Sequence, residues 1–535
     1  MPLSILIWLP AAAALLGALA PRRGSYPLTG WFAFAGSVGA LGITIGEIAG
    51  FDPGHSGLTH VTDQLWIAGL GIHYKLGLDG LNLFLVALTA VVSALAIGAA
   101  NRRRWERPRL FFLYLGLAES AVLGALMAQD LILFVAFFDL MLIPFYFLTG
   151  QWGEENRVAA TTKLVIYTLV GSLLMLAAAI ATGVLVSTNT AHPLSFALSD
   201  LQNAGGIGAG AGLSAGSQEW IFLLFAAAFL VKMPAFPLHG WMPDGYRAMP
   251  LEALAIFSGV LSKVGAYGFL RIVLPLFPQA SVHFQTLMLV IALASILYGS
   301  VMAFTQTNTR LILGYSSVAQ LGFITLGIFA LQPQGAQGAV LQMVNHGLVT
   351  LALFLIVGLL AARAAGSVDL RDMGGLALRA PVLSAIFLIV ALATLAMPGS
   401  SNFVGEFLIL LGVFRSKLAI AIVAFTGVVL ASVYMLRTLI RAMHNRLGTR
   451  AESREIALAD ALALVPSTLV ILGLSFYPQL VLHRSERSTA AAIAAARATA
   501  QPSQTARAPL AGASAPQPAR TSTLGAGATH SGATR

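Results

Sequence analysis

Runs of about 20 apolar residues recur along nearly the whole chain, and no other feature restricts its fold as strongly. In lipid, every backbone N–H and C=O must be satisfied within its own segment, so such runs read as transmembrane helices. They lie near 3–20, 28–49, 79–99, 110–128, 130–149, 160–186, 218–241, 250–274, 284–305, 309–331, 336–362, 380–410, 418–440 and 457–481. The expectation is an all-α polytopic membrane protein with about 14 transmembrane helices. The first run has no basic residue before it and is followed directly by further runs, so it is expected to be a retained helix and not a cleaved signal. Of the 535 residues, 57% are hydrophobic and 10% charged, which excludes an ordinary soluble globular chain.

Loop charges test the count. Segments after odd-numbered runs hold Arg22 and Arg23, NRRRWERPR at 101–109, Arg157, Arg247, Arg310, Arg363, Arg371, Arg379 and HNRLGTRAESR at 444–454. Segments after even-numbered runs are nearly free of Lys and Arg, with Lys75, Arg415 and Lys417 as exceptions. The positive-inside rule then puts the odd loops in the cytoplasm and both termini on the other side of an inner membrane. The net charge of +10 is accounted for by these loops and an Arg-containing tail, with lipid and not nucleic acid as its partner.

The chain has no cysteine, so it can neither ligate an iron–sulfur cluster nor form a disulfide. No Gly-rich loop suited to a dinucleotide or to a triphosphate opens a helix. No redox cofactor and no nucleotide hydrolysis are expected in this chain. Residues 50–78 alternate apolar and polar positions (LWIAGLGIHYKLGL), which predicts a short hairpin. Residues 188–217, rich in Gly, Ser and Ala, predict a flexible loop. From 485 to 535 the composition (Ala, Pro, Ser, Thr, Arg) predicts a disordered tail.

Ionisable residues inside the runs point to a site. A lysine at the bilayer centre costs roughly 2.5–3.5 kcal/mol. Lys232 is such a residue, and Pro234 and Pro237 follow it. A proline inside a helix removes a hydrogen bond, tolerable in lipid only where the break is buried in protein or lines a wet cavity. Asp139, flanked by Phe137, Phe138, Leu140 and Met141, is expected to be either protonated by desolvation or paired with a cation, with Lys232 as the candidate partner. Lys263 lies deep in the next run among Gly259, Ser262 and Gly265, where small residues permit close helix approach or water. His346 is a candidate relay because imidazole titrates near neutrality. His239 is open between structural hydrogen bonding and proton carriage. Glu406 follows Pro398-Gly399 in a second broken run. Glu119 reads as a supporting charge or an interhelical hydrogen bond, Asp130 as a helix cap, and Arg271 as a snorkelling cation.

Two broken helices in matching places suggest an inverted-repeat transporter. Runs four to eight and nine to thirteen form two sets of five, with Lys232 and the Glu406 break in the fourth helix of each. An odd number of helices per repeat inverts one set relative to the other. The expected segments are 1–109 (three helices and the polar loop), 110–274 (first repeat), 284–440 (second repeat), 457–482 (last helix) and the tail 485–535.

The stretches AVLGALMAQDLILFVAFFDLMLIP, WGEENRVAATTKLVIYTLVGS, KMPAFPLHGWMPD, SKVGAYGFLR, TRLILGYSSVAQLGF, VNHGLVTLALFLIVG and MPGSSNFVGEFLILLG together cover most of residues 75–480. In them the chain resembles the antiporter-like membrane subunits of respiratory complex I and of the related multisubunit Na+/H+ antiporters. Glu406 resembles the branch with a glutamate in the second broken helix, where sister chains usually carry lysine. The resemblance implies a fourteen-helix fold with two inverted five-helix repeats. It also implies proton translocation, by a non-redox subunit of an NADH:quinone oxidoreductase, driven by quinone reduction elsewhere in an assembly of membrane subunits. Asp139, Lys232, Lys263, His346 and Glu406 match the family's translocating residues. The chain departs from the family at Asp139 (usually Glu), Gln320 (usually His) and GYRAMP at 245–250 (usually AHTEAP). An Na+/H+ exchanging subunit and a structural subunit of a variant complex are the rival readings.

Overall fold

The computed structural model describes residues 3–20, 28–55, 57–203, 212–444, 452 and 454–501. Its helices are α1 Leu3–Leu19, α2 Leu28–Gly50, α3 Leu83–Ala100, α4 Pro108–Met127, α5 Leu131–Trp152, α6 Arg157–Thr190, α7 Leu198–Asn203, α8 Ala215–Lys232, α9 Met242–Ala248 and α10 Leu251–Leu276. They continue as α11 Pro278–His283, α12 Gln285–Thr305, α13 Thr309–Phe329, α14 Pro333–Arg363, α15 Pro381–Thr394, α16 Ser401–Ser416, α17 Leu418–Met443, α18 Leu458–Phe476 and α19 Gln479–Ala500. Among the described residues, twelve helices are long and apolar enough to cross a membrane, and α1 and α15 are shorter apolar helices.

The helices sort by what they touch. Every residue of α13 is buried, and the most apolar stretch of α10 is buried throughout. Around them, α2, α6, α12 and α17 leave apolar side chains exposed, such as Ile45, Leu173, Val290 and Phe425. With protein on all sides, α10 and α13 can carry polar groups that lipid would not accept.

Loop contacts segregate to two ends. At one end Arg103 reaches Glu252, Arg310 reaches Glu154, and Arg363 donates to the carbonyls of Arg454 and Glu455. At the other, Leu131 N–H donates to Phe196 O, Gln279 N–H to Gln218 Oε1 and Gly80 N–H to Ser488 Oγ. The first set joins segments that follow odd-numbered runs and the second joins segments that follow even ones. Arg22, Arg23 and 445–451 lie outside the described residues.

The hairpin expected within 50–78 is present. Strands β1 (Thr59–Ile67) and β2 (Ile72–Leu78) pair antiparallel with Asp63 opposite Lys75. Two expected irregular segments are corrected. In 188–217, α7 buries Leu198 and Leu201, while 204–211 lie outside the described residues. The tail predicted from 485 is helical as far as Ala500. Its composition hides a helical stripe: Val481, Ser485, Ser488, Thr489, Ala492, Ile493 and Ala496 recur every three to four residues and are buried. Residues 502–535 lie outside the described residues.

Candidate proton path

Both broken helices are present. α8 ends at Lys232, and the segment through Trp241 is irregular before α9 begins. Pro234 and Pro237 remove the N–H groups needed to continue the helix. Likewise α15 ends at Thr394 and α16 starts at Ser401, with Gly399 at φ +91° in the turn between them. Left-handed backbone of this kind favours glycine.

A further distortion had no sequence signal. α10 widens into π-helical turns at Phe257–Leu261 and Phe269–Val273, on either side of Lys263. Such bulges are frequent at functional sites. Lys263 Nζ folds back onto Ser258 O at 2.5 Å and reaches Ser262 Oγ at 3.3 Å. Ser258 Oγ lies 3.3 Å from Ser317 Oγ on α13. Gly265 allows α8 to approach, since a Cβ there would stand 2.9 Å from Phe229 O.

The expected ion pair between Lys232 and Asp139 is not formed. Lys232, buried, donates to the Phe138 carbonyl at 3.3 Å and sits 4.3 Å from the centroid of the Phe138 ring. Asp139 points instead into a recess shared with Ile143, Tyr146, Leu169 and Ser172, and its Oδ1 has no hydrogen-bond partner. The aspartate is one methylene shorter than glutamate, and α5 is interrupted at Met141, three residues before Pro144. The lysine therefore takes a backbone carbonyl in place of the carboxylate.

His346 on α14 precedes Gly347, where a Cβ would stand 2.6 Å from Gly259 O in the π-helical turn before Lys263. His346 Nε2 is 3.2 Å from Thr350 Oγ1, and Nδ1 has no partner. Glu406 on α16 is buried, with Oε1 accepting from Gln320 Nε2 at 2.8 Å and from Gln342 Nε2 at 3.3 Å. Gln342 Nε2 also donates to Gln320 Oε1 at 2.7 Å. Glu406 Oε2, Gln342 Oε1, Asn345 Oδ1, Asn402 Oδ1 and Nδ2, and Ser401 Oγ are buried without partners. They gather a cluster of polar atoms between α14 and α16 in an otherwise apolar bundle.

The remaining predicted residues are placed as follows. Ser37 Oγ donates to buried Glu119, an interhelical hydrogen bond between α2 and α4 that stands apart from the lysines. His239 is wedged beside Phe236 and Tyr298, ring centroids 5.8 and 4.9 Å away, with Nδ1 unpartnered. Asp130 caps α5 by accepting from the N–H groups of Ile132 and Leu133. Arg271 does not snorkel: it donates to Asp79 Oδ1 at 2.6 Å and to the Tyr267 hydroxyl at 3.0 Å. Burial at the end of the bundle beside an acid makes the ion pair the better solution.

Sequence reasoning missed Gln342, Asn345, Asn402, Tyr246, Ser258, Ser317 and Tyr434. For Gln342 and Asn345 a signal existed, because they stand four residues and one residue before His346 in an apolar helix. Tyr434, which shares a 2.8 Å hydrogen bond with Ser316, gave none.

At the end where the odd loops meet, a cavity of about 500 Å³ opens between α3, α10, α14 and α18. Its walls include Arg102, Arg103, Glu154, Glu252, Arg310 and Phe354. Arg103 grips Glu252 with bonds of 2.9 and 3.2 Å, and Arg102 lies 3.5 Å from Asp460. Among the described residues no group of three His, Asp or Glu is arranged to hold a metal ion.

Residues 128–431 match the family model described as "NADH:quinone oxidoreductase/Mrp antiporter, TM". Subunit M of the NADH-quinone oxidoreductase of Rhodobacter capsulatus is 36% identical over 490 residues, 90% of this chain and 94% of the relative. The Escherichia coli K12 subunit M is 37% identical over 431 residues, 79% of this chain and 83% of the relative. A chain of respiratory complex I from Thermus thermophilus superposes with a TM-score of 0.81 at 30% identity, covering 92% of this chain and 99% of that one. A chain of the Mrp complex from Dietzia shares the fold at a TM-score of 0.77 and 22% identity. With its broken helices, its buried lysines and relatives of this identity and coverage, the chain belongs to the membrane-subunit family of NADH:quinone oxidoreductase and Mrp antiporters, on the subunit M branch.

Proposed function

We propose that this chain is a non-redox, proton-translocating membrane subunit of a complex I-type NADH:quinone oxidoreductase. Protons enter at the end bearing the basic loops, which faces the cytoplasm, and reach Lys263 and Lys232. They pass His346 and, carried by water, the polar cluster between α14 and α16, and leave by way of Glu406. Quinone reduction elsewhere in the complex drives the movement, and other membrane subunits are the partners. About fourteen spans in two inverted five-helix repeats, with both termini on the non-cytoplasmic side of the inner membrane, complete the reading.

The observation that carries it is the burial of Lys232, Lys263, His346 and Glu406 inside the bundle, beside helices that are broken or widened. A purely structural subunit would gain nothing from such groups, because each costs several kcal/mol in a membrane. The chemistry required of the chain is to hold a proton at Nζ, at an imidazole nitrogen or at a carboxylate oxygen, and to release it when a neighbouring charge changes. With Lys232 held on the Phe138 carbonyl, Asp139 is free to attract it on rearrangement, which gives the lysine two positions.

The test is proton pumping by inside-out vesicles carrying Lys232→Ala, measured beside quinone reduction and complex assembly. Loss of pumping in an assembled complex supports the reading. Normal pumping overturns it. Normal pumping that becomes Na+-dependent transfers it to cation/proton exchange.

A further inference from the structure

Tyr246 is fully buried, yet its hydroxyl has no hydrogen-bond partner. Leaving a buried hydroxyl unpaired costs about 1–3 kcal/mol, so its position needs a reason. The ring packs against Phe257 and Phe354, with centroids 6.3 and 6.2 Å away. Gly314 on α13 makes room for it, since a Cβ there would stand 2.9 Å from Tyr246 Cδ1. The packing thus fixes where the hydroxyl points.

Phe257 and Ser258 share the π-helical turn against which the ring packs, and Ser258 is the residue whose carbonyl holds Lys263 and whose hydroxyl faces Ser317. Phe354, also packed against the ring, belongs to the wall of the cavity lined by Arg103, Glu252, Arg310 and Glu154. Tyr246 therefore touches both the wall of an opening at the basic-loop end and the turn that holds the buried lysine.

We propose that Tyr246 is a proton-relay residue, its hydroxyl passing protons between the charge-rimmed cavity and the Ser258–Ser317–Lys263 cluster. The step is a hop: the phenolic O–H bond breaks as the proton moves to Ser258 or a bridging water. A new O–H bond then forms on the same oxygen with a proton from the cavity side. The phenol ends neutral, and no electrons are transferred. This inference rests on the proposed translocation through Lys263.

The experiment compares Tyr246→Phe with Lys263→Ala in assembled complex in inside-out vesicles. It reads the rate of acidification, the rate of quinone reduction and the effect of D2O on both. Tyr246→Phe keeps the ring and its packing. The expected result is a drop in pumping on the order of tenfold, with an enlarged solvent isotope effect and unchanged thermal stability. A role in packing alone would not move the isotope effect. Tyr246→His is expected to restore pumping. If Tyr246→Phe pumps normally while Lys263→Ala does not, the relay is overturned and translocation stands. If both pump normally, translocation itself fails. Should Tyr246→Phe not assemble, Ser258→Ala interrupts the same step and is read by the same outcomes.

Discussion

Gln320 Nε2 donates to Glu406 Oε1 at 2.8 Å, while Oε2 of the same carboxylate has no partner. One oxygen is thus held by amides, from Gln320 and from Gln342, and the other is left free of both. An amide does not titrate, so Gln320 can orient the carboxylate but cannot carry a proton for it. A histidine at this position could do both. The replacement confines proton exchange to the Oε2 side.

Gln320→Leu should therefore cost stability as well as function. It strips Glu406 of its shorter hydrogen bond and leaves Gln342 Oε1 still unpaired. A loss of about 1–3 kcal/mol is expected, read as a lower temperature of subunit loss from the purified complex. Gln320→His should keep stability and pumping, because imidazole can still donate to Glu406 Oε1. A stable Gln320→Leu variant with normal pumping would contradict the amide clamp.

Arg271 and Asp79 form a buried ion pair whose breakage should be severe. Arg271 is held by Asp79 and Tyr267, and their side chains are 13% and 7% exposed for the arginine and aspartate. Removing one partner of a buried pair costs about 3–5 kcal/mol, because the other charge is left uncompensated. Asp79→Ala should reduce the amount of assembled complex. Replacing both partners together, as Asp79→Leu with Arg271→Met, should recover most of it. Assembly read by native gel separates the two cases.

Much of this fold was readable from the chain, for identifiable reasons. Apolar runs and basic loops locate spans because lipid leaves no other solution for the backbone. Lys232, Pro234 and Pro398 mark breaks because their chemistry is costly inside a helix. The sequence carried no comparable sign for the π-helical turns of α10, since widening a helix needs no particular residue. Whether Asp139 reaches Lys232 was not readable, because a sequence pattern carries no distance: the carbonyl of Phe138 lay closer than the carboxylate of Asp139. The helix at 479–500 was missed because its composition is that of a linker, while its spacing is that of a buried face.

Outside the membrane, Asp369 ties the segment after α14 to the start of α13. Its carboxylate accepts from Arg371 Nε at 3.0 Å and Nη2 at 2.8 Å, and from Thr307 Oγ1 at 3.0 Å. Side-chain hydrogen bonding from Arg371, chiefly, lowers its pKa from 3.8 to about 2. A carboxylate with a depressed folded-state pKa adds stability above its unfolded value and loses it as pH falls through the folded value. The tie should be intact above pH 3.8 and fail as pH falls to about 2. Pepsin cleavage within 364–380 should rise over that window. Asp369→Asn should lack this pH dependence. The effect is small because Arg371 is largely exposed.

Gly412 on α16 and Gly335 on α14 set the distance between the helices that carry Glu406 and His346. A Cβ on Gly412 would stand 2.5 Å from Gly335 N and 2.6 Å from Gly335 Cα. Backbone cannot yield as a side chain does, so Gly412→Val must push α16 away. Glu406 would then leave the reach of Gln320 and Gln342. Overpacking of this kind costs about 1–3 kcal/mol. The expected outcome is an assembled but uncoupled complex, with quinone reduction continuing and acidification lost. Normal acidification would show that the α14–α16 spacing tolerates the change.

Lys232 should be a residue that the fold would be more stable without. It is buried, with a backbone carbonyl and an aromatic face as partners and no carboxylate within ion-pair distance among the described residues. A well-packed apolar side chain of similar length avoids the cost of desolvating the ammonium, and such replacements of buried charge are neutral or stabilising by about 1–4 kcal/mol. Lys232→Met should therefore raise or preserve the thermal stability of the complex while abolishing pumping. Asp139→Ala should scarcely change stability, because its carboxylate makes no ion pair in this state. The pair would then behave as independent in stability and coupled in transport, which a double-mutant cycle on each property can measure. A large loss of stability in Lys232→Met would mean that the cation has a buried counter-charge in the resting protein, and that the carbonyl-bound position is not the one the lysine occupies at rest.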